Sequence, residues 1–332
     1  MRYRKLGNTD ISASVIALGT WVMGGWMWGG ADDDQSIKTI HASLDVGINF
    51  IDTAPIYGFG RSEKIVGKAI KGRRSEVVLA TKCGLRWDVE KGDFYFNSDE
   101  RGVNSENNIY KVYKYLHPDS IRTELENSLR RLNTDYIDLY QTHWQESTTP
   151  IEDTMAELVK LKEEGKIRAI GASNASVEQL KKYGNLDADQ EKFNMLERKS
   201  EENGNVSYCY EHDIAILAYS PLAQGLLTGS VTSDRKFGAG DVRNNNKLFS
   251  PESLIKINSM LDELKEIADS YNISLGQLSL SWTLSRVGIT HLLCGARTKE
   301  QTQSNAYAAY VSLSVDDKRK INTIYNKYFG LL

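Results

Sequence analysis

The chain has 332 residues, with 41 Lys and Arg against 44 Asp and Glu, and its formal net charge is −3. This balance argues against nucleic acid or an anionic membrane surface as a partner, because both bind to an excess of positive charge. Hydrophobic residues make up 40% of the chain, which is enough for a large core. The cysteines, Cys83, Cys209 and Cys294, are scattered and predict neither a disulfide framework nor a metal site. We therefore expect a reducing, cytoplasmic environment.

No stretch of the sequence has the character of a membrane or targeting segment. Met1–Lys5 is not followed by an apolar signal core, and the longest apolar runs, such as Ile214–Tyr219, are too short to span a bilayer. We expect a soluble intracellular protein that does not bind membranes and whose partner is a small molecule. The oligomeric state stays open.

The chain begins with a predicted hairpin, since residues 2–17 contain two strand-like pieces around the turn residues Gly7–Asp10. From there, strand and helix patterns alternate to the end of the chain. Amphipathic helices are clearest at Ile121–Leu132, Ile151–Glu164 and Leu254–Ser270. The candidate strands are Val15–Leu18, Ile48–Ile51, Val77–Thr81, Tyr136–Gln141, Ile167–Ala172, Asp187–Lys192, Ile214–Tyr219 and His291–Cys294.

Eight strands that alternate with helices predict a parallel sheet, and eight such strands close a barrel. A doubly wound open sheet is the alternative. The glycine fingerprint of that fold does not follow any strand, because its nearest match, Gly58 and Gly60, has Glu63 in the third position. We predict an α/β protein, a single (β/α)8 TIM barrel domain over residues 1–332.

Two long segments interrupt the alternation, and both are predicted to leave from the carboxyl edge of the barrel. Arg86–Leu116 is polar but rich in aromatic residues, which argues against disorder and favours a functional loop. Ser230–Ser250 contains two glycines and three successive asparagines. We expect both long loops to lie over the active site.

Titratable side chains follow three consecutive strands. Asp52 ends the second strand, Lys82 follows the third, and His143 lies just beyond the fourth. Tyr57 lies in the loop after Asp52, before a helix predicted to begin with Ser62 as its cap. The carboxyl edge of a parallel barrel is where active sites are assembled, so we expect these groups to converge there.

The four groups suit the reduction of a carbonyl, which needs a proton donor and hydrogen-bond donors at the oxygen. Tyr57 can supply the proton, and a nearby Lys82 ammonium is expected to lower the pKa of the phenol. Asp52 would hold Lys82 in place, and His143 would orient the substrate oxygen. The alternative is that Asp52 and Lys82 form a structural ion pair and His143 is an ordinary barrel histidine.

Several motifs together resemble the aldo-keto reductase family. They are IDTAPIYGFGRSEKIVGKAI, LATKCG, YQTHW, GKIRAIGASN, AYSPLAQGLLTG and CGARTKEQTQSN. The likeness covers nearly the whole chain and is closest to bacterial members that reduce small oxo-aldehydes such as methylglyoxal. It implies a catalytic tetrad of Asp52, Tyr57, Lys82 and His143.

The resemblance also implies NADPH as the cofactor. Arg297 would carry the preference for NADPH over NADH, unless it pairs with Glu300 on the surface. Ser304 departs from the family, whose members usually carry Glu there. Ser173 and Asn174 could instead form a helix cap. The implied cofactor-binding residues are Thr20, Trp21, Asp52, Ser173, Asn174, Gln190, Tyr219, Ser220, Leu222, Gln224, Arg243, Gly295, Arg297, Gln301 and Asn305.

Five tryptophans could form the wall of an apolar substrate pocket or simply pack over the barrel end. They are Trp21, Trp26, Trp28, Trp87 and Trp144. The leading functional hypothesis is NADPH-dependent reduction of an aldehyde or ketone, either a small oxo-aldehyde or a sugar-like carbonyl. The alternatives are a polyol or sugar dehydrogenase that uses the same tetrad for oxidation, and a non-enzymatic redox-sensing regulator that binds the cofactor.

Overall fold

The computed structural model describes residues 1–103 and 109–330. Its strands, in chain order, are β1 (Tyr3–Lys5), β2 (Ser12–Ser14), β3 (Ile16–Gly19), β4 (Phe50–Asp52), β5 (Val78–Cys83), β6 (Leu85–Arg86), β7 (Asp93–Ser98), β8 (Tyr110–Lys114), β9 (Ile137–Thr142), β10 (Ile167–Ser173), β11 (Ala188–Lys192), β12 (Ala215–Tyr219) and β13 (Ile289–Gly295).

The helices are α1 (Trp21–Gly24), α2 (Asp33–Asp45), α3 (Arg61–Ala69), α4 (Pro118–Leu132), α5 (Ile151–Glu163), α6 (Val177–Tyr183), α7 (Lys199–Glu202), α8 (Asn205–Glu211), α9 (Pro251–Ser270), α10 (Leu275–Leu284), α11 (Lys299–Tyr307) and α12 (Val315–Phe329). Across the described ranges, none of them combines the length and apolar composition needed to cross a membrane.

Eight parallel strands close into a barrel in the order β10-β11-β12-β13-β3-β4-β5-β9. The predicted (β/α)8 barrel is therefore confirmed, and each of its strands lies within two residues of the predicted bounds. The predicted hairpin is also present, with Tyr3 of β1 opposite Ser14 of β2. Because all barrel strands run the same way, their carboxyl ends meet at one mouth.

The core has three parts. Small and branched side chains such as Ala80, Leu139 and Leu217 fill the barrel, and Leu6 and Ile11 of the hairpin segment belong to the same cluster. A larger cluster lies between the strands and the surrounding helices. A third, aromatic-rich cluster includes side chains from both long segments and the 21–30 turn. The site is thus held between a rigid barrel and an aromatic cap.

The Arg86–Leu116 segment is more ordered than the loop that the sequence predicted. Its described part forms a small antiparallel sheet in the order β6-β8-β7, while residues 104–108 lie outside the described residues. Phe94 lies opposite Tyr113, with their ring centroids 5.6 Å apart. Aromatic pairs of this kind stabilise strand pairing between residues that are distant in the sequence. Ser230–Ser250, in contrast, is a loop with two short 3₁₀ turns, at Val242–Asn245 and Lys247–Phe249.

The prediction that Ser62 caps a helix is wrong. Helix α3 begins one residue earlier, after Gly60, which has a φ of 93° that favours glycine. The Ser62 hydroxyl is instead buried and lies 2.8 Å from the Thr20 hydroxyl and 2.9 Å from the Thr53 hydroxyl. Ser62 therefore ties α3 to the ends of two barrel strands beside the site.

Candidate active site

Barrel strands bring the four predicted catalytic groups together. Asp52 ends β4, and Lys82 projects from the neighbouring β5. The Lys82 ammonium lies 2.7 Å from Asp52 Oδ1 and 3.4 Å from the Tyr57 hydroxyl, and it also donates to the Thr53 carbonyl at 3.0 Å. The rings of Tyr57 and His143 meet edge to face, with centroids 5.9 Å apart. The proton donor and the imidazole therefore face the same space.

The Asp52–Lys82 pair is fully enclosed. The side chain of Lys82 is 0% exposed and that of Asp52 is 3% exposed. Burial lowers the pKa of Lys82, and the Asp52 charge opposes that shift. An enclosed pair at this distance acts on its surroundings as a dipole rather than as a single positive charge.

This neutralisation corrects the expected effect of Lys82 on Tyr57. The pKa of Tyr57 is raised well above its ordinary value, first by burial and then by the negative charge of Asp52. The sequence predicted a lowered pKa because it considered Lys82 without the compensating carboxylate. The phenol is consequently a proton donor across the neutral range.

His143 is neutral in this environment. Burial, followed by the positive charge of Lys82, holds the pKa of His143 well below its usual value. Its main-chain N–H donates to the Cys83 carbonyl at 2.9 Å, which fixes the residue against β5. A neutral imidazole can donate one hydrogen bond to a ligand oxygen.

Sequence reasoning missed Gln141, a buried amide inside the barrel. Gln141 is fully buried on β9, directly beside Lys82 in the strand register. Its Nε2 lies 3.3 Å from Asp52 Oδ2, and Gln190 Nε2 of β11 lies 3.0 Å from the same oxygen. A signal was available: Gln141 alternates with Leu139, which faces the barrel interior.

One wall of the site is formed by Ser173, Asn174 and Tyr219. The Tyr219 hydroxyl donates to Asn174 Oδ1 at 2.9 Å, and Asn174 Nδ2 donates to the His143 carbonyl at 3.1 Å. The alternative that Ser173 and Asn174 cap a helix is wrong, because the cap of α6 is Ser176. These side chains therefore lie at the mouth for a reason other than helix capping.

The turn after β12 has an unusual backbone. Ser220, Ala223 and Gln224 all have positive φ values, between 47° and 56°, which non-glycine residues adopt at an energetic cost. Gln224 is held by a hydrogen bond of 3.0 Å from Asn246 of the second long loop. The Ala223 and Gly225 N–H groups bond within the turn, to the Ser220 and Leu222 carbonyls. Turns of this kind can bind an anion through their remaining main-chain N–H groups.

The outer end of the site contains two arginines. Arg297 donates to the main-chain carbonyls of Trp28 and Gly30, so the alternative, a surface pair with Glu300, does not occur among the described residues. Arg243 pairs with Asp241 at 2.6 Å. Partial burial and then the Arg243 charge lower the pKa of Arg297, and the Asp241 charge opposes that shift.

Helix α11 begins beside this arginine. The Arg297 main-chain N–H donates to Gln301 Oε1 at 2.7 Å, and Asn305 Nδ2 lies 3.4 Å from the Gly295 carbonyl. A helix start next to an arginine favours a phosphate group.

A single cleft of about 1040 Å³ connects the inner and outer ends of the site. All fifteen predicted cofactor-binding residues line it, as do Tyr57 and His143. Four of the five tryptophans, Trp21, Trp26, Trp28 and Trp144, also line it. Trp87 does not line the cleft and packs instead on Phe59, with ring centroids 5.5 Å apart.

The cleft fits a nicotinamide dinucleotide better than a metal. Its lining includes an acid–amide pocket, a left-handed turn and two arginines, which suit an amide ring, a pyrophosphate and a further phosphate. In the part of the chain that the structure describes, no cluster of three or more His, Cys, Asp or Glu side chains could hold a metal ion.

Known proteins and solved structures resemble nearly the whole chain. It is 41% identical over 326 residues to the NADH-specific methylglyoxal reductase of Escherichia coli, covering 96% of each chain. The glycerol dehydrogenase structure from Gluconobacter oxydans superimposes with a TM-score of 0.87 and 38% identity, covering 99% of this chain and 96% of that one. An aldo/keto reductase structure from Klebsiella pneumoniae, in complex with NADP and acetate, gives a TM-score of 0.71 at 25% identity, covering 98% of this chain and 96% of that one.

The family comparison agrees with the geometry. Residues 15–326 match the aldo/keto reductase family, so the match includes every barrel strand and all four residues gathered at the inner end of the cleft. The resemblance seen in the motifs is thereby confirmed, and this chain belongs to the aldo/keto reductase family.

Proposed function

We propose that the protein, as a single domain over residues 1–332, reduces small aldehydes or ketones to alcohols with NADPH as the hydride donor. One observation carries this proposal: the Tyr57 hydroxyl lies 3.4 Å from a Lys82 ammonium that is itself paired with Asp52. This arrangement supplies a proton donor and a stabilised conjugate base at the inner end of a dinucleotide-sized cleft.

Reduction requires a proton at the carbonyl oxygen as hydride reaches the carbonyl carbon, and the reduced nicotinamide supplies that hydride when bound. Tyr57 donates the proton, because its raised pKa keeps the phenol protonated at neutral pH. Lys82 then stabilises the phenolate that remains, since its ammonium is within hydrogen-bonding distance. The buried Asp52 holds that ammonium in place.

His143 orients the substrate in this mechanism. Its neutral imidazole faces the Tyr57 ring across the cleft and can donate a second hydrogen bond to the carbonyl oxygen. Two donors that converge on one oxygen select a single orientation of the substrate.

The remaining cleft residues would hold the cofactor. Ser173, Asn174 and Gln190 would bind the nicotinamide amide, with the Tyr219 ring against the nicotinamide. Thr20 and Trp21 complete the inner end. The outer end would hold the phosphates through Ser220, Leu222, Gln224, Arg243, Gly295, Arg297, Gln301 and Asn305.

The substrate class follows from the walls around Tyr57. Tryptophans line this part of the cleft. The arginines that line the cleft come from other segments: Arg235 and Arg243 from the Ser230–Ser250 loop, and Arg297 from the start of α11. An apolar wall beside two oxygen-directed donors suits a small uncharged carbonyl. The methylglyoxal reductase relative supports an oxo-aldehyde as that carbonyl.

The oxidising direction is the second candidate, and the glycerol dehydrogenase likeness favours it. Oxidation would use the same groups with Tyr57 as the proton acceptor. A high phenol pKa disfavours the phenolate that this direction needs, and for that reason we rank reduction first.

Steady-state kinetics test the proposal. A panel of carbonyls, including methylglyoxal, glyceraldehyde and an unactivated alkanal, is compared by kcat/KM from the loss of NADPH absorbance, and glycerol with NADP⁺ is assayed in the opposite direction. We expect turnover of the carbonyls. Dinucleotide binding without turnover of any of them would favour the regulator alternative.

A further inference from the structure

Three buried side chains bridge the barrel behind the proposed acid. Asp52 uses Oδ1 to hold Lys82, while its Oδ2 accepts hydrogen bonds from Gln190 Nε2 at 3.0 Å and Gln141 Nε2 at 3.3 Å. Gln190 Nε2 also donates to Gln141 Oε1 at 3.2 Å. The bridge joins β4, β9 and β11, which are not adjacent in the barrel.

The two N–H hydrogens of the Gln190 side chain fix the orientation of its amide. A carboxylate can only accept, so the amide nitrogen and not the oxygen must face Asp52. An amide nitrogen carries two hydrogens, and these bond to Asp52 and to Gln141 Oε1. No donor among the described residues reaches Gln190 Oε1, and Gln190 lines the cleft. Gln190 therefore presents an acceptor, with no spare donor, to a ligand.

We propose that Gln141 is a positioning residue that fixes the Gln190 amide with its oxygen toward the cleft, so that the site selects a ligand carrying an amide N–H. The inference rests on the proposed function, because the nicotinamide amide is the ligand group concerned. Gln141 does not line the cleft, so it would act only through Gln190 and Asp52.

The role of Gln141 is distinct from that of Asp52. With Asp52 alone, Gln190 would satisfy the carboxylate with one hydrogen and keep the second free to turn toward the cleft. The amide could then donate or accept, and the selection for a donor group would be lost. Gln141 Oε1 occupies that second hydrogen, and Gln141 is itself fixed by full burial beside Lys82.

Binding of two dinucleotides tests the proposal without turnover. NADP⁺ carries an amide with two N–H groups, whereas its 3-acetylpyridine analogue has a methyl group there and keeps the carbonyl. Dissociation constants are measured for both by quenching of tryptophan fluorescence. We expect wild type to prefer NADP⁺ by about tenfold, which is the value of one or two hydrogen bonds. We expect Gln141→Leu to reduce that preference to about twofold.

Two further variants give the lower and upper limits of the expected preference for NADP⁺. Gln190→Leu removes the acceptor and should abolish the preference. Gln179→Leu removes a capping-box amide of α6 that does not line the cleft, and should keep the wild-type preference even if it lowers stability. Circular dichroism checks the fold, and Gln141→Met replaces Gln141→Leu if that variant does not fold.

The outcomes distinguish a failure of the role proposed for Gln141 from a failure of the proposed function. An unchanged preference in a folded Gln141 variant, or no preference in wild type, would overturn this inference and leave the proposed function intact. Failure of wild type to bind either dinucleotide would overturn the proposed function and this inference with it.

Discussion

The two ends of the cleft are built differently. At the inner end, Lys82 and Asp52 are buried and their bonding partners are protein groups, including Thr53 and the amides of Gln141 and Gln190. At the outer end, Arg297 is exposed and its guanidinium is bound to neutral main-chain carbonyls of the 28–30 turn. The ion pair at the inner end is held by protein groups alone, whereas Arg297 at the outer end has no carboxylate partner among the described residues.

This difference indicates where each end contributes. Preorganised groups act on a reaction because they need no rearrangement as charge develops. A cation held by weak neutral partners exchanges them for a phosphate on binding, so it contributes to affinity. We therefore expect changes at the inner end to affect kcat and changes at the outer end to affect the dissociation constant of the cofactor.

The largest effect is expected at the inner end, with Tyr57→Phe. This change removes the proton donor but keeps the ring that packs against Trp21, at a centroid distance of 6.0 Å. General acid catalysis contributes about 10²–10⁴-fold, so kcat for an unactivated aldehyde should fall by that factor. The dissociation constant of NADPH should stay nearly unchanged, as measured by fluorescence titration.

Tyr113→Phe is the matched control, since it removes a phenol hydroxyl that lies outside the cleft, 3.3 Å from a Glu90 carboxylate oxygen. It should retain most of the wild-type kcat. If Tyr57→Phe retains more than about a tenth of kcat, the acid role proposed for Tyr57 is wrong.

The next largest effect is expected at the outer end, with Arg297→Ala. A charge-assisted contact contributes about 1.5–3 kcal/mol, so the affinity for NADPH should fall by about ten- to a hundredfold. Affinity for NADH, which lacks the 2′-phosphate, should change little, and kcat at saturating NADPH should be retained. Dissociation constants of both cofactors check this.

Lys299→Ala, two residues away in the first turn of α11, controls for a general loss of positive charge. Equal weakening of both cofactors by Arg297→Ala, or a wild-type preference for NADH, would contradict the role assigned to Arg297. The NADH specificity in the name of the Escherichia coli relative makes this comparison informative.

A smaller effect is expected at the aromatic wall of the cleft, where β7 carries adjacent aromatics. Tyr95 lines the cleft and packs near Trp144, with ring centroids 5.7 Å apart, while Phe94 is 53% exposed. Loss of one aromatic contact costs about 0.5–1.5 kcal/mol, so Tyr95→Ala should raise the substrate KM by about two- to tenfold. Phe94→Ala should leave the KM unchanged. Equal effects of both variants would show that β7 does not line the substrate site.

The sequence predicted the barrel and the position of the tetrad because these depend on local patterns. Runs such as Val77–Thr81 are apolar on both faces, as in buried parallel strands, so a charged residue at the end of the run stands out. The strand order then places these residues at one mouth by geometry alone.

The features that the sequence did not predict depend on non-local partners. Strands β7 and β8 pair within a segment that the sequence predicted to be an irregular loop, because the register of these strands is set only on folding. The direction in which the Tyr57 pKa shifts depends on Asp52, which neutralises Lys82. The role of Gln141 depends on a hydrogen bond across the barrel to Asp52. Each of these is a relation between strands.

The smallest expected effect is the pH dependence of reduction, and it tests that corrected pKa. Reduction needs the protonated phenol, and a group whose pKa is raised stays protonated until the pH exceeds its ordinary value of about 10. His143 is held neutral by a lowered pKa, so it should not add an acid limb near its ordinary value. At saturating NADPH and carbonyl, kcat should therefore vary by less than about twofold between about pH 6 and 9. Oxidation of the alcohol needs the phenolate, so its rate should rise with pH over the same range. A loss of reductive kcat with an apparent pKa of about 7–8 would mean that the Lys82 charge, and not burial beside Asp52, governs the phenol.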